Sequence, residues 1–563
     1  MAGVNWLDIS TLLIYFAVVL GVGVFKGRGS RRDTGSFFVA RGTLPWWVIA
    51  AAFVATGMNT EQLVGQNGMS YKIGLPMLNW YFIVFIVYSL LIFVFLPVYM
   101  RNGISTMPQY LGKRFNGACQ NVFTVILILT YVFMNLAVVF YGGAKLLEVI
   151  FGLNIWVGVT LIGIVAGLYT MYGGLKSAAY AATVQFALIF ISGFFLMFLA
   201  FHKLPNGWSD VVAAAPCGFH LMKPTDYPEI PWHAVPLTLL GIHLYYSCAN
   251  QALVQGCFGA RREWDARIGL IVAGFCVVLR PFVEIFPGMC CRAIAVFDPN
   301  FALGDQPTDN VLPIMIRQLV SPGFRGLILI GILASVMSTI AAFLNSISTL
   351  FTLDVYKKWI DPNASEKRLV KVGTIATFVL MIFSICYSPF IGKLSGGIFQ
   401  YFQTLASYVT VPLATVFLLG VLWKRATSTA ALAVMILGIP LGLLVSMVIV
   451  PNCFAPETIA KYSLANPFIT GAMTQVLCVV LMVVLSFVEF NFSVRKNGPS
   501  VVLMLAVSLV TKPKEVQAIA PLTFSMKNLR LPDDEPKRPW YQSVTFWWIL
   551  FVAFYVGIYA WLW

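Results

Sequence analysis

The sequence predicts an all-α membrane protein that crosses the bilayer about fourteen times. Hydrophobic residues make up 59% of the 563 residues, charged residues make up 10%, and the mean hydropathy is +0.84. An average soluble protein has about 45–50% apolar and about 25% charged residues. The apolar residues also come in blocks near the ~20 residues that a helix needs to cross a bilayer. A β-barrel would instead show short alternating segments.

The first apolar block, Trp6 to Phe25, is interpreted as a retained membrane helix. It has no basic region before it and no small-residue cleavage site, both of which a signal peptide would have. Thirteen further spans follow it in the sequence. The complete prediction places spans 1 to 14 at residues 6–25, 45–71, 75–100, 118–150, 155–172, 182–201, 235–257, 268–297, 326–355, 372–387, 396–423, 429–450, 466–490 and 544–563.

The loops differ in charge according to the span that they follow. KGRGSRRDTGSFFVARG after span 1 and YKKWIDPNASEKRLVK after span 9 are basic, as are the loops after spans 3, 7 and 11, whereas FDPNFALGDQPTDN after span 8 is acidic. Because basic loops remain in the cytoplasm, we expect the loops after odd-numbered spans to be cytoplasmic and both termini to lie outside. The net charge of +15 is therefore explained by basic residues in the cytoplasmic loops and does not indicate a nucleic-acid partner.

Spans 2 and 7 are both interrupted by polar residues. Span 2 contains ATGMNTEQ at positions 55–62, and span 7 contains HLYYSCANQALVQG at 243–256. Broken helices at matching positions of two halves are typical of an inverted repeat with a binding site at the midplane. The expected organisation is 1–44 (span 1 and a cytoplasmic loop), 45–201 (repeat one, spans 2–6), 202–234 (an external loop), 235–423 (repeat two, spans 7–11), 424–490 (spans 12 and 13), 491–543 (a cytoplasmic linker) and 544–563 (span 14).

Span 9 carries polar side chains in the stretch GILASVMSTIAAFLNS at 331–346. Ser335, Ser338 and Thr339 have the spacing i, i+3, i+4, so they share one face of a single helical turn. Such residues often bond to their own helix or help helices to pack. A small hard cation, however, needs several oxygens, including carbonyls that no helix bond occupies. The break in span 2 and the hydroxyls of span 9 together could form a five-oxygen sodium cage.

Several long motifs make the chain similar to a known family. They include TEQLVGQNGMSYKIG, NGISTMPQYLGKRFN, MYGGLKSA, LYYSCANQALVQ, PFVEIFPG and SVMSTIAAFLNSISTLFTLDVYKKW. The chain resembles the sodium:solute symporter (sodium/glucose cotransporter) family, in particular its bacterial sodium/galactose branch. The resemblance implies a five-plus-five inverted-repeat (LeuT-like) core and sodium-driven alternating access. It also implies that one sodium ion is bound by the carbonyls of Ala55, Met58 and Ser335 and the hydroxyls of Ser338 and Thr339.

The same resemblance gives eight expected solute-binding residues. Gln62 and Gln403 agree with sugar-contacting positions, Tyr246 with the aromatic residue beneath the sugar, and Trp80 and Phe399 with an outer lid. Three others depart from the galactose branch, since Tyr81 replaces a glutamate, His243 an asparagine and Ser247 a tryptophan. Val277 also replaces a lysine. A site built to bond hydroxyl groups depends on such groups, so galactose itself is not the expected solute.

Span 8 also contains two charged residues that are close together in the sequence. Arg280 and Glu284 are i, i+4 neighbours and are expected to neutralise one another as a structural pair, although Arg280 could instead bind a substrate carboxylate. A pairing of Cys217 with Cys453 is left open, as is the oligomeric state.

The expected function is therefore that of a sodium-coupled symporter in the inner (plasma) membrane, and not that of an enzyme. The partners are sodium, the lipid bilayer and a small organic solute, which we expect to be a sugar, a polyol or a sugar derivative. The alternatives are a carboxylate or other metabolite as solute, or proton coupling. An ion channel would need repeated pore-lining rings, and a sensor or enzyme would need an attached domain or a catalytic set of residues.

Overall fold

A computed structural model of the chain confirms the all-helical fold class. It describes residues 6–215, 219–393, 398–494 and 519–562. Within these ranges there is no β-strand, and an isolated parallel bridge joins Leu44 to Ala260. Cys217, whose pairing with Cys453 the sequence left open, lies outside the described residues.

The membrane-crossing helices follow the predicted order. Within the described residues, ten are long and apolar enough to span a bilayer: Trp6–Gly27, Leu75–Arg101, Gly117–Glu148, Ile155–His202, Arg325–Ile360, Glu366–Ile391, Phe402–Leu422, Ser428–Cys453, Pro467–Phe487 and Val544–Trp561. The pair Glu263–Val277 and Pro281–Ala295, bent by 42°, forms an eleventh. The remaining apolar helices, Trp46–Gly57 with Gln66–Ile73 and Ala234–Ala249 with Gln251–Phe258, belong to the two interrupted spans.

The 48-residue helix Ile155–His202 accounts for part of the difference between the eleven candidate spans found among the described residues and the fourteen predicted from the sequence. A straight helix of 48 residues would be about 72 Å long at 1.5 Å per residue, more than twice the thickness of the hydrocarbon core. Gly174 interrupts it with φ 58° and ψ −147°, and a Cβ atom there would lie 2.1 Å from the Phe37 carbonyl oxygen. This glycine falls between predicted spans 5 and 6. The number of fourteen crossings nevertheless stays a prediction.

Span 9 forms the centre of the bundle. In its most apolar 18-residue stretch 94% of the residues are buried, against 22% in Trp6–Gly27 and 17% in Val544–Trp561. Its Gly331 packs directly against Ser192, and its Met337 carbonyl accepts a hydrogen bond of 2.9 Å from the Tyr169 hydroxyl. The first and last spans are therefore peripheral, while span 9 contacts span 6 closely enough to need a glycine.

Span 8 bends at Pro281. Proline has no N–H group to donate to the preceding turn, and the helix is interrupted between Val277 and Pro281. The bend brings Arg280 towards the broken part of span 2, where its Nη2 donates to the Gly57 carbonyl at 2.8 Å.

The described part of the linker, residues 519–543, contains three short 3₁₀ turns, Ala520–Leu522, Met526–Leu529 and Trp540–Gln542. Arg267, a fully buried residue at the start of span 8, donates to the carbonyls of Asn528 at 2.7 Å and Leu529 at 3.1 Å. This part of the linker is therefore packed against the transmembrane helices.

Candidate ion and solute sites

The break predicted in span 2 is present. Helix Trp46–Gly57 ends at Met58, whose φ of −99° and ψ of 90° are extended, and helical structure resumes at Thr60. At a helix end the last carbonyls lose the i+4 donors that a continuous helix would supply. These carbonyls therefore remain available to groups from other spans.

Three hydroxyl groups of span 9 use these carbonyls. The hydrogen bonds run from Ser335 Oγ to the Met58 carbonyl, from Ser338 Oγ to the Ala55 carbonyl at 2.9 Å, and from Thr339 Oγ1 to the Thr56 carbonyl at 3.1 Å. Ser338 Oγ also lies 2.8 Å from the Ser335 carbonyl oxygen. The structure thus brings all five residues of the expected ion cage together, and it adds the carbonyl of Thr56, which sequence reasoning did not include.

The chemistry of this cluster suits a hard monovalent cation. All five expected residues are at most 2% exposed, and their oxygens are neutral carbonyls and hydroxyls. Hard cations prefer oxygen ligands, and a hydroxyl group can rotate to turn its lone pairs towards an ion. The site needs no carboxylate, because the carbonyl dipoles supply the negative potential.

A central cavity of about 110 Å³ lies beside the same break. Seven of the eight expected solute residues line it, namely Gln62, Trp80, Tyr81, His243, Tyr246, Ser247 and Gln403. The side chain of the eighth, Phe399, lies outside the described part of the chain. Other lining residues include Asn59, Glu61, Tyr88, Asn135, Asn250, Arg280, Phe343 and Phe402. Since small-molecule sites usually have about 300–1,000 Å³, this cavity would have to expand around a solute.

The side-chain amides of Gln62 and Gln403, the two expected sugar-binding residues, are both hydrogen-bonded within the protein. Gln62 Nε2 donates to Glu61 Oε1 at 2.8 Å, and Gln403 Nε2 donates to the same oxygen at 2.7 Å. Glu61 is 1% exposed. Its carboxylate therefore joins span 2 to span 11 and holds both amide groups in one cluster.

The pairing of Arg280 with Glu284 is confirmed. Arg280 Nε lies 3.0 Å from Glu284 Oε2, and Nη2 lies 3.1 Å from Oε1. Tyr81 donates to Glu284, and the Arg280 guanidinium lies 4.7 Å from the centre of the Tyr81 ring. Tyr81 and Val277 stand where the galactose branch has a glutamate and a lysine, so two charged side chains are expected to be absent at these positions. The structure shows that Arg280 lines the cavity together with Tyr81 and Val277, and that its partner Glu284 accepts a hydrogen bond from Tyr81.

Four buried polar atoms of the lining have no hydrogen-bond partner among the described residues. They are His243 Nε2, Tyr246 Oη, Asn250 Nδ2 and Gln403 Oε1. An unpaired buried polar group costs about 1–3 kcal/mol. The cavity therefore offers donors and acceptors that a polar solute could satisfy.

The expected lid residue Trp80 is part of an aromatic cluster. Its ring centre lies 4.4 Å from that of His243 and 5.8 Å from that of Phe468. A second cavity of about 550 Å³ is lined by Phe468 and by Gln403, which also lines the central cavity. Sequence reasoning missed Phe468, because no local pattern distinguishes this apolar residue at the start of span 13.

An all-helical membrane protein with a buried oxygen cage next to a polar cavity, both at a broken span, belongs to the class of ion-coupled secondary transporters. Residues 37–438 match the sodium:solute symporter family, and the chain belongs to this family. Its members are multi-pass proteins of the inner (plasma) membrane that carry solutes, so the chain is a transporter and not an enzyme.

Individual relatives resemble almost the whole chain. It is 30% identical to a sodium/glucose cotransporter of Vibrio parahaemolyticus, over 90% of this chain and 95% of that protein. It is also 30% identical to sodium/glucose cotransporter 1 of Oryctolagus cuniculus, over 93% and 82% of the two chains. Sodium/myo-inositol cotransporter 2 of Sus scrofa shares 30% identity over 77% and 69%.

Among solved structures, a substrate-bound, outward-open sodium-coupled sialic acid symporter has a similar fold. The TM-score is 0.74 at 19% sequence identity, and the match covers 86% of this chain and 98% of that chain. This similarity supports the predicted architecture independently of the motifs.

Proposed function

We propose that the chain imports a sugar, a polyol or a sugar derivative together with one sodium ion, by alternating access. The observation that carries this proposal is the convergence of the span 9 hydroxyls on the carbonyls of the broken span 2. The named substrates of the similar proteins, glucose, myo-inositol and sialic acid, support a polyhydroxylated solute.

In this proposal sodium binds to the carbonyls of Ala55, Met58 and Ser335 and to the hydroxyls of Ser338 and Thr339. Sodium would replace the direct hydrogen bonds between spans 2 and 9 with ion–oxygen contacts. Because the same break contributes Glu61 and Gln62 to the cavity lining, ion binding can fix the geometry of the solute site. This shared segment is the proposed physical link between the two ligands.

The solute would bind in the central cavity between spans 2, 3, 7, 8 and 11, with Trp80 and Phe399 on its outer side and Tyr246 on its inner side. Each unit charge that crosses a potential of 100 mV contributes about 2.3 kcal/mol, which corresponds to roughly fiftyfold accumulation. One sodium ion per cycle would therefore be enough for useful uptake.

The proposed topology has fourteen spans, both termini outside, and the domain boundaries given above. Two observations support it. Breaks occur in both spans 2 and 7, where Asn250 is extended and its side chain caps the following helix. The described part of the linker packs against Arg267 and Arg101, next to the basic loops that we assign to the cytoplasm.

The test is uptake into proteoliposomes that contain the purified full-length protein. A panel of labelled hexoses and polyols should accumulate only with an inward sodium gradient. Thr339→Ala should raise the sodium concentration for half-maximal uptake at least about fivefold, since the loss of a buried polar partner costs about 1–3 kcal/mol. Thr377→Ala is the matched control, because Thr377 is also buried and, among the described residues, its hydroxyl donates only to the Gly373 carbonyl of its own helix at 2.8 Å.

Uptake that ignores the sodium gradient and is unchanged by Thr339→Ala would refute the proposal. Uptake that follows a proton gradient instead would retain the carrier and refute the assignment of sodium as the coupling ion.

A further inference from the structure

Glu61 is a buried carboxylate without an ionic partner in the central cavity. None of the ion pairs between described residues includes it, and the residue is 1% exposed. A charged side chain at the middle of a membrane helix costs about 2.5–3.5 kcal/mol on insertion scales. Its charge can be removed by protonation or compensated by a cation that enters the cavity.

Arg280, which also lines the cavity, forms its ion pair with Glu284 and none with Glu61 among the described residues. Arg280 uses Nε and Nη2 for the two oxygens of Glu284, and Nη2 also donates to the Gly57 carbonyl at 2.8 Å. The pair is neutral as a unit, so the site carries one excess negative charge whenever Glu61 is ionised. The same geometry disfavours a solute carboxylate, because two of the three guanidinium nitrogens are already occupied.

The atoms around Glu61 would suit an ammonium group. Gln403 Nε2 donates to Glu61 Oε1 at 2.7 Å, while Gln403 Oε1 is buried and has no partner among the described residues. An ammonium group donates three hydrogen bonds and accepts none. The carboxylate of Glu61 and the amide oxygen of Gln403 provide two adjoining acceptors for it.

Aromatic rings form much of the remaining wall. The lining includes Phe53, Trp80, Tyr88, Tyr246, Phe343 and Phe402. The faces of such rings attract cations electrostatically, more strongly when the cation has lost its water. A carboxylate within an aromatic lining is a favourable environment for a protonated amine.

We propose that the transported solute carries a protonated amino group beside its hydroxyl groups, as an amino sugar or an amino polyol does, and that Glu61 binds this group. The proposal rests on the proposed function, which it narrows to one class of sugar derivative. The ammonium group would replace the amide donors of Gln62 and Gln403 on Glu61. Both amides would then be released to bond the hydroxyl groups of the same solute.

The experiment compares matched solutes on the purified full-length protein in sodium buffer, at a pH where the amine is protonated. The probes are glucosamine, glucose and N-acetylglucosamine, together with 1-amino-1-deoxysorbitol and sorbitol. Affinity is measured by thermal shift and by competition for uptake. Glucosamine should bind at least about tenfold more tightly than glucose and N-acetylglucosamine, and 1-amino-1-deoxysorbitol at least about tenfold more tightly than sorbitol. One desolvated charge pair readily supplies a difference of this size.

The variant Glu61→Gln keeps the size of the side chain and removes its charge. It should reduce the preference for the amine, measured as the ratio of the amine's affinity to that of the neutral solute, to about twofold or less. Glu457→Gln is the control, because it removes the same charge from an exposed residue outside both cavities, and it should leave the preference intact.

The possible failures are distinguishable. If glucose or sorbitol stabilises the protein in a sodium-dependent manner and the amines do not bind better, this proposal is wrong and the proposed function stands. A preference for the amine that survives Glu61→Gln also refutes it. If no solute acts with sodium, both proposals fail. The comparison of wild-type affinities decides the matter even if Glu61→Gln does not fold.

Discussion

The proposed ion cage and the central cavity both lie at the break in span 2, but they rely on different kinds of atoms. The cage uses neutral oxygens, mostly from the backbone, and its polar contacts run between spans 2 and 9. The cavity is lined by the charged side chains of Glu61 and Arg280, from spans 2 and 8, and Arg280 is paired with Glu284. The cage therefore depends on the position of the backbone, whereas the properties of the cavity depend on which side chains the surrounding spans supply.

The largest effect is expected at the Arg280–Glu284 pair of the cavity. Arg280→Met should reduce stability by about 3–5 kcal/mol, because it leaves Glu284, which is 0% exposed, without its counter-charge. Denaturation in detergent measures this loss. The double variant Arg280→Met with Glu284→Met should recover most of it, since no uncompensated charge remains. A single variant as stable as wild type would show that the cavity does not depend on this pair.

An intermediate effect is expected at the ion cage. Ser338→Ala removes one hydroxyl group and should cost about 1 kcal/mol of stability in the absence of sodium. It should also abolish most of the stabilisation that added sodium gives to the wild type. Thermal unfolding with and without sodium measures both quantities.

Ser384→Ala is the control for this variant. Ser384 is fully buried, but its hydroxyl donates only to the Leu380 carbonyl of the same helix at 2.9 Å. If the two variants respond to sodium in the same way, the hydroxyl of Ser338 is a packing group and not a ligand.

The smallest effect is expected at a charged pair outside both sites. Lys145 and Glu148 lie 2.6 Å apart, but their side chains are 43% and 39% exposed. Such pairs contribute about 0–1 kcal/mol. Glu148→Gln should therefore change the free energy of unfolding by about 1 kcal/mol at most and leave the sodium dependence of stability as in the wild type. A larger change would contradict the distinction between exposed and buried charges.

The clustering of the proposed cage residues was easier to predict from the sequence than the contacts around the cavity. Ser335, Ser338 and Thr339 are separated by one helical turn in an otherwise apolar span, so their shared face follows from local geometry. The role of Arg280 depends on the bend at Pro281, which brings it to Gly57, more than 200 residues earlier in the chain. The bonds of Glu61 with Gln403 also join distant spans, and Phe468 reaches Trp80 only because span 13 packs nearby. Contacts between distant spans cannot be predicted from the local periodicity of the sequence.

The proposed cage has a consequence for how such a transporter can evolve. Three of its five oxygens belong to the main chain, at Ala55, Met58 and Ser335, and a point mutation cannot delete a carbonyl. The cavity is lined by side chains, so single codon changes can alter its charge, size and hydrogen-bonding groups one at a time. A lineage can therefore acquire a new nutrient while its energy source is inherited unchanged.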